Sequence, residues 1–423
     1  MPFAFSLHEF FLQFLAILIM LAVLTILIIV HECGHFSVAR LFGFQTPVFG
    51  FGLPFFGPSW VLGRKWGTEF RLHALLIGGY VAIPELNDES SAEQAFNVQL
   101  KPLKKFPIWQ RALVAFAGPG FNIIFAYFIM MAMLVLLGEP IQSTFVYSLP
   151  KENPIAANAG ILPKDQLLTI NGEFVSSPSD AVTILSGHKN EEVKIDVKRT
   201  INGVEQQLSF SMNTNDAGKV GMGLAGQGPI TYHKAEGNYS NIFVLTAKKL
   251  WFWTYSMIDA AGQLFSGLGA HIFHNGKNAS GQAVPGFQDI HGVLGVIKIG
   301  SEITRQDWNQ VFLFTVLISL DLAIVNLIPF PPLDGSHLAF MAYEAVFRKP
   351  VNQRVQGEMI KWGTVTLLFL MALISVNDIS AWMTGKLDLK HNRSEKDKEK
   401  EIESTKSPNK TNVKAAPELQ HAP

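Results

Sequence analysis

Cysteine is almost missing from this chain of 423 residues, since Cys33 is the single one. One cysteine excludes a disulfide within the chain and says nothing about the redox compartment. A charge imbalance is missing too, because 34 lysines and arginines match 34 aspartates and glutamates. A net charge of zero gives no reason to expect a nucleic-acid partner.

Charged residues are scarce overall, at 16%, whereas 48% of the residues are hydrophobic and the mean hydropathy is +0.23. This composition is too apolar for an ordinary soluble protein. We therefore expect a polytopic α-helical membrane protein with about four transmembrane helices. The segments apolar and long enough to span a bilayer are residues 10–30, 111–137, 311–330 and 362–382.

The first apolar segment ends at a metal-binding pattern. Residues 10–30 carry no charge and no cleavage site follows, so we expect a retained membrane helix and no signal peptide. His31 and His35 are four residues apart, so one helix face presents both imidazoles to one metal ion. Glu32 completes the H-E-x-x-H arrangement of two zinc ligands and a general base, in which zinc lowers the pKa of bound water to about 7. The alternative is that His31 and Glu32 are simply interfacial residues, but ionisable groups in lipid are functional by default.

The third apolar segment ends in a proline cluster that can supply a further ligand. Pro329, Pro331 and Pro332 end the helix, and a carboxylate on the broken segment can swing into the bundle. Because catalytic zinc keeps three protein ligands and one open position, Asp334 is the best third ligand. An ordinary Asp-Gly turn is the alternative. Asn326 could hydrogen-bond a developing oxyanion or hold the substrate backbone.

Two glycine-rich stretches accompany these motifs. Arg71–Val81 predicts a strand, a Gly78–Gly79 turn and a second strand. Its apolar character favours a loop that dips into the membrane beside the site, with a plain interfacial hairpin as the alternative. Ala117–Asn122 interrupts the second span near its start, and its small residues allow close helix approach. Asn122 is either a helix-packing residue, the better prior, or a site residue.

Residues 141–230 have short alternating apolar runs in place of the long apolar segments before them. Short alternating apolar runs, turn signals at Asn171–Gly172 and Asn202–Gly203, and a short helix at Ala181–Leu185 predict one small soluble domain. Residues 241–270 contain a lysine pair and several aromatic residues, which favours a helix at the membrane interface over another span. The expected divisions are 1–140, 141–230, 231–310, 311–384 and a disordered charged tail, 385–423.

The distribution of positive charge predicts the orientation. Residues 1–30 have no lysine or arginine, whereas the loops after the first and third spans are rich in both. By the positive-inside rule these loops are cytoplasmic, and both termini and the soluble domain lie outside. With four spans, His31 and Asp334 then lie at a similar depth in the membrane. A fifth span at residues 241–270 would place Asp334 on the opposite side. The positive residues are Arg40, Arg64, Lys65, Arg71, Lys101, Lys104, Lys105, Arg348, Lys349, Arg354 and Lys361.

These motifs, in this order, resemble the site-2 proteases, which are zinc intramembrane metalloproteases, and most closely the bacterial regulator-of-sigma-E type. The resemblance covers nearly the whole chain up to about residue 385. The matching pieces are His31-Glu32-x-x-His35, Gly50-Phe51-Gly52, Gly78-Gly79-Tyr80-Val81, Gly118-Pro119-x-x-Asn122 and Asn326-x-x-Pro329-x-Pro331-x-Leu333-Asp334-Gly335.

The resemblance implies roles for individual residues. His31, His35 and Asp334 would bind Zn2+, Glu32 would be the catalytic base, and Asn326 would help to hold the substrate or the transition state.

It also implies a substrate-binding surface. Gly78, Gly79 and Tyr80 would belong to a membrane-dipping β-loop that pairs with unwound substrate as an added strand, and Asn122 is a further candidate for substrate binding. Residues 153–172 resemble the start of a PDZ domain, of which the chain has one.

Some positions depart from the family pattern. Leu76 stands where proline is usual, Asp321 where asparagine is usual, and Lys164 where glycine is usual, and Gly292–Val296 differs from the expected Gly-Pro-x-Gly-Ile. These departures concern substrate gating and leave the zinc chemistry unaffected.

The expected function is hydrolysis of a peptide bond within the transmembrane helix of a pre-trimmed, single-span membrane protein. The expected location is the bacterial cytoplasmic (inner) membrane, surrounded by lipid. One alternative is a catalytically inactive homologue that binds membrane helices. Another is a zinc transporter, which would need a polar path that the first two spans do not offer.

Overall fold

The computed structural model describes residues 7–52, 57–74, 78–86, 105–150, 153–201, 204–233, 241–273 and 292–383, so Leu76 and the predicted tail lie outside the described residues. The helices are α1 Leu7–Phe42, α2 Ile108–Leu136, α3 Ile155–Asn158, α4 Pro178–Gly187, α5 Ile242–Phe273, α6 Val293–Gln306, α7 Gln310–Asn326, α8 Asp334–Phe347 and α9 Gln353–Met383. The strands are β1 Val48–Phe51, β2 Ser59–Lys65, β3 Thr68–His73, β4 Gly79–Val81, β5 Glu139–Ser148, β6 Gln166–Ile170, β7 Glu173–Phe174, β8 Glu192–Ile201, β9 Val204–Asn213 and β10 Gly223–His233. They fall into two compact units, Met1–Ile129 with Lys249–Pro423, and Met130–Lys248.

Three of the described helices are long and apolar enough to cross a membrane: α1 from Phe11 to Phe42, α2 and α9. Helix α7, which covers most of the expected span 311–330, is apolar but has 17 residues. At 1.5 Å per residue it reaches about 26 Å, somewhat less than the hydrocarbon thickness of about 30 Å. Helix α5 is not among the three candidate spans in the described part of the chain, and its interfacial position stays a prediction.

Helices α1 and α2 pack closely where the histidines lie. Helix α1 continues past the predicted end of the span to Phe42, so His31 and His35 are inside a continuous helix. A Cβ on Gly34 would lie 2.3 Å from the Ala117 carbonyl oxygen, which shows how near the two backbones come. Helix α2 runs through Pro119, so the predicted interruption is wrong. A proline is tolerated in a membrane helix where neighbouring groups satisfy the backbone around it.

The first unit contains a four-stranded sheet in the order β2-β3-β1-β4. Strand β1 is parallel to β3 and antiparallel to β4, with Gly50 opposite Tyr80 and Phe51 opposite Gly79. The two strands predicted around Gly78–Gly79 are present, but each pairs with β1 and not with the other. The prediction of a glycine turn between them is therefore corrected, because Gly79 itself belongs to β4 and β1 lies between the strands.

The helical structure is interrupted between α7 and α8, at the proline cluster. Helix α7 ends at Asn326, and Asp334 is the first residue of α8. A Cβ on Gly335 would lie 2.3 Å from the Leu327 carbonyl oxygen and 2.4 Å from that of Ile328. Glycine after Asp334 is therefore required for α8 to begin against the last carbonyls of α7.

The second unit is a mixed α and β structure with a sheet in the order β10-β5-β6-β8-β9 and β7 paired to β6. Its strands and α4 cover the alternating runs and the short helix that the sequence predicts. Asn171 and Gly172 have φ values of 51° and 81°, which suit the two-residue turn between β6 and β7. Asp165 is buried and accepts two hydrogen bonds of 2.7 Å from Arg199. The similarity of this unit to a PDZ domain stays a prediction.

Candidate active site

The two histidines of α1 and the first residue of α8 meet in one group. The Nε2 atoms of His31 and His35 are 3.2 Å apart, and they lie 3.0 and 3.3 Å from Oδ2 of Asp334. Both histidines are buried and Asp334 is half-buried. One atom from each of three side chains thus points to a common centre, although Asp334 is 303 residues from His31.

This group fits a zinc ion. Two imidazoles and one carboxylate form a donor set found in catalytic zinc sites, and ligand atoms about 2.0 Å from a tetrahedral zinc are about 3.3 Å from one another. The observed separations of 3.0 to 3.3 Å agree with that spacing. A Cβ on Gly118 would lie 2.3 Å from Nε2 of His35 and 2.7 Å from Nε2 of His31. The glycine therefore leaves open the space that the ligand atoms face.

Each histidine contacts α2 through its other ring nitrogen. Nδ1 of His35 is 2.8 Å from the Val114 carbonyl oxygen, so its N–H donates there and the lone pair of Nε2 is free for a metal. Nδ1 of His31 is 3.2 Å from the side-chain amide of Asn122. Val114, Gly118 and Asn122 are spaced by four residues and lie on one face of α2.

Glu32 lies between the metal-binding group and the sheet. It is half-buried, and the backbone N–H of Val81 in β4 donates to its carboxylate. A Cβ on Gly79 would lie 3.2 Å from Cγ of Glu32, a tight contact, so the glycine lets the strand pass close to this side chain. The glutamate of the H-E-x-x-H motif and the predicted β-loop are thus neighbours.

The other residues of the β-loop have different surroundings. Gly78 has a φ of 103°, which favours glycine, and its carbonyl accepts from the Gly52 N–H at 2.9 Å. The ring of Tyr80 occupies the space where Gly50 lacks a side chain, and its hydroxyl is 3.1 Å from Nε2 of His73.

Of the two predicted asparagines, Asn122 does not lie where a substrate could contact it, whereas the role of Asn326 stays a prediction. Asn122 is completely buried behind His31, so it is not on a surface that a substrate reaches. Asn326 is the half-buried last residue of α7, and its side chain makes no hydrogen bond within the described part of the chain. Asp321 is exposed on α7, apart from the metal-binding group.

The sequence reasoning did not single out Val114 or His337, and it gave Gly118 no role beyond close helix packing. Val114 and Gly118 share the face of Asn122, and their spacing of four along α2 is the signal that could have revealed them. His337 is one turn after Asp334 on α8 and lies close enough to Asp334 and His35 for electrostatic interaction.

Apolar helices and an H-E-x-x-H glutamate beside a His-His-Asp group define a membrane metalloprotease. The chain belongs to Peptidase family M50, which matches residues 19–371. It is 30% identical over 378 residues to a protein of Brucella suis biovar 1, covering 85% of this chain and 94% of the relative. It is 31% identical over 389 residues to a protein of a Nostoc species, covering 88% and 97%. Both relatives are named as zinc metalloproteases.

A plant relative is similar over much of its length. The chain is 29% identical over 375 residues to the chloroplastic membrane metalloprotease ARASP of Arabidopsis thaliana, covering 86% of this chain and 79% of the relative. The expected membership of the site-2 protease family, the metalloprotease activity and the zinc cofactor are confirmed.

Proposed function

We propose that this metalloprotease hydrolyses a peptide bond within the transmembrane helix of a single-span membrane protein, in the manner of the regulator-of-sigma-E type. The observation that carries the proposal is the place of the site in the chain. His31, Glu32 and His35 lie in the same continuous helix as the charge-free segment 10–30, and that helix is a candidate span from Phe11 to Phe42. A protease that cuts soluble proteins has no need to build its site on such a helix.

In this proposal His31, His35 and Asp334 hold the zinc. When bound, zinc lowers the pKa of a water molecule and polarises a carbonyl group. Glu32 takes a proton from the attacking water and passes it to the nitrogen of the leaving amine. The hydrogen bond from the Val81 N–H keeps the Glu32 carboxylate beside β4, where the proposed substrate strand would lie.

The sheet offers a way to present the substrate. A helix hides its carbonyl groups in its own hydrogen bonds, so a transmembrane substrate must unwind locally before it is cut. Strand β4 stands at one end of the sheet order, and a substrate segment that pairs with it extends the sheet by one strand. Because Gly79 lies against Glu32, a segment paired there would present its backbone to the base. Tyr80 lies within this strand and Gly78 immediately precedes it. Asn326 holds the substrate or the transition state.

The topology that we propose has four spans, with the short helix α7 as the third. The positively charged loops face the cytoplasm, while both termini and a PDZ-like domain at 141–230 lie outside the cytoplasm of a bacterium. Helix α5 lies at the membrane surface. The PDZ-like domain excludes substrates whose outer part is untrimmed, and a variant without it would accept them.

A substrate fits this proposal if it is already shortened, as an anti-sigma factor or a remnant signal peptide is after a first cleavage. No observation favours an inactive homologue, because the chain retains His31, Glu32, His35 and Asp334.

Cleavage of a single-span substrate, shortened on its outer side and reconstituted with the purified enzyme, tests the proposal. The comparison is the wild type against Glu32→Gln, which keeps the zinc ligands and removes the base. We expect cleavage within the span by the wild type alone, abolished by a zinc chelator. Cleavage by both proteins would overturn the role of Glu32. Cleavage by neither, with one zinc bound to each, would contradict this substrate class.

A further inference from the structure

The side chain of Asn122 has an unsatisfied oxygen next to a proposed zinc ligand. Asn122 is 0% exposed, and its Oδ1 has no hydrogen-bond partner among the described residues. Its Nδ2 is 3.2 Å from Nδ1 of His31. A buried amide oxygen without a donor is uncommon, because leaving it unpaired costs on the order of 1–3 kcal/mol.

When His31 binds a metal, its contact with the Asn122 amide nitrogen brings two hydrogen-bond donors together. A neutral histidine that binds a metal through Nε2 carries its proton on Nδ1, and that N–H needs an acceptor. The amide nitrogen now facing Nδ1 of His31 offers only N–H groups. A half turn of the amide exchanges its two ends and puts Oδ1 in hydrogen-bond range of Nδ1.

His35 shows the arrangement that His31 would then share. Its Nδ1 already faces an acceptor of α2, the Val114 carbonyl oxygen, at 2.8 Å. Val114 and Asn122 are eight residues apart on one face of α2, and Gly118 lies midway between them and leaves room for the metal. One helix face thus backs both zinc-binding imidazoles.

The backbone of Asn122 is itself anchored. The hydroxyl of Ser319 in α7 donates to the Asn122 carbonyl oxygen at 2.8 Å, and Ser319 is fully buried. Since helix α2 already fixes the backbone of Asn122, the amide can rotate about its own bond whether or not this hydrogen bond is present.

We propose that Asn122 is a positioning residue for zinc: its Oδ1 accepts the Nδ1–H of His31 and holds Nε2 toward the metal. The proposal rests on zinc ligation by His31 in the proposed function. Removing a partner of this kind costs typically 10–100-fold in metal affinity. The amide of Asn122 touches neither the metal nor the substrate in this role.

Zinc affinity of the full-length protein in detergent, measured by competition with a chelator, tests the role without any cleavage assay. Asn122→Leu removes the acceptor and keeps the bulk, and we expect about 10–100-fold weaker binding together with a changed visible spectrum of the Co2+ form. Asn122→Asp is an acceptor only, so we expect affinity within a few-fold of the wild type or tighter. Ser319→Ala is the matched control, because it removes a buried hydrogen bond at the same place and leaves the amide intact. It should bind zinc like the wild type.

Three results would overturn the proposal: unchanged affinity in Asn122→Leu, weakening by Asn122→Asp equal to that of Asn122→Leu, or equal weakening by Ser319→Ala. The second result would mean that the amide acts as a donor, and Asn122→Asp decides this point even if Asn122→Leu does not fold. A wild type that binds no zinc would refute the ligand set and this inference together. Wild-type binding that is insensitive to Asn122 would refute the inference alone.

Discussion

Gly118 leaves the space in which the proposed metal-binding atoms meet, so Gly118→Ala should weaken zinc binding by at least about 100-fold. The added Cβ would lie 2.3 Å from Nε2 of His35 and 2.7 Å from Nε2 of His31, closer than real Cβ contacts come. To reach ordinary van der Waals distance, the His35 imidazole must move by about 1 Å. Zinc–nitrogen bonds of about 2.0–2.1 Å tolerate shifts of about 0.2 Å, so a displacement of this size removes the ligand.

Gly120→Ala is the matched control for this prediction. It lies on the same helix, and its added Cβ would come no closer than 3.3 Å, to a carbon of the Phe116 ring. Both substitutions replace glycine by alanine within a helix, which favours the helix by about 1 kcal/mol. A difference between them therefore reports on the metal-binding group and not on helix formation.

The assay is the zinc content and affinity of the purified full-length proteins, with cleavage of the shortened substrate as a second readout. We expect at least about 100-fold weaker zinc binding and no cleavage for Gly118→Ala, and values within a few-fold of the wild type for Gly120→Ala. One tightly bound zinc in Gly118→Ala would refute the reasoning, because the methyl group and the proposed ligation cannot share the space. Thermal unfolding of the metal-free proteins shows that both variants are folded.

Three further predictions concern stability and are checked by unfolding of the full-length protein. Lys164 has a φ of 77°, so Lys164→Gly should raise stability by up to about 1 kcal/mol, whereas Lys164→Ala should give no gain. Hydrogen bonds from the hydroxyls of Ser209 and Thr169 hold the pKa of Asp196 below its usual value. The ionised Asp196 carboxylate therefore stabilises the folded protein above about pH 4, and this stabilisation is lost as the pH falls through the lowered pKa of the folded state. Asp196→Asn should flatten the pH dependence in that range, and an unchanged profile would contradict the assignment. Asp378 is buried in α9, and its carboxylate accepts hydrogen bonds from two backbone N–H groups at the start of α6. Asp378→Ala should therefore destabilise the protein by about 1–2 kcal/mol, and Asp378→Asn by less. Equal losses in both Asp378 variants would contradict the capping role.

The local part of the site could be read from the sequence. The four-residue spacing of His31 and His35 is a property of one helix, and it needs no knowledge of the rest of the chain. Asp334 was inferred from the ligand number of zinc and from the proline cluster that precedes it, and the structure brings it to 3.0 Å from His31. The histidine pair follows from local helix geometry, and Asp334 follows from the number of ligands that zinc requires.

The partners of these residues could not be read in the same way. Strands β3 and β4 were predicted to adjoin, but β1 lies between them, because strand pairing depends on residues distant in the chain. A proline was expected to interrupt α2, yet the helix runs through it, since the preference of one residue is weaker than the surrounding packing. The contact of Asn122 with His31 joins two helices and has no counterpart in local sequence.

The close approach of Gly335 to the end of α7 has a mechanical consequence. Since the backbone at Gly335 rests on the carbonyl groups of Leu327 and Ile328, Asp334 cannot shift toward α7 without pushing its last turn. Asn326 belongs to that same turn. A displacement of α7 along its axis would therefore move the proposed zinc-binding carboxylate of Asp334 and the proposed substrate-holding amide of Asn326 together.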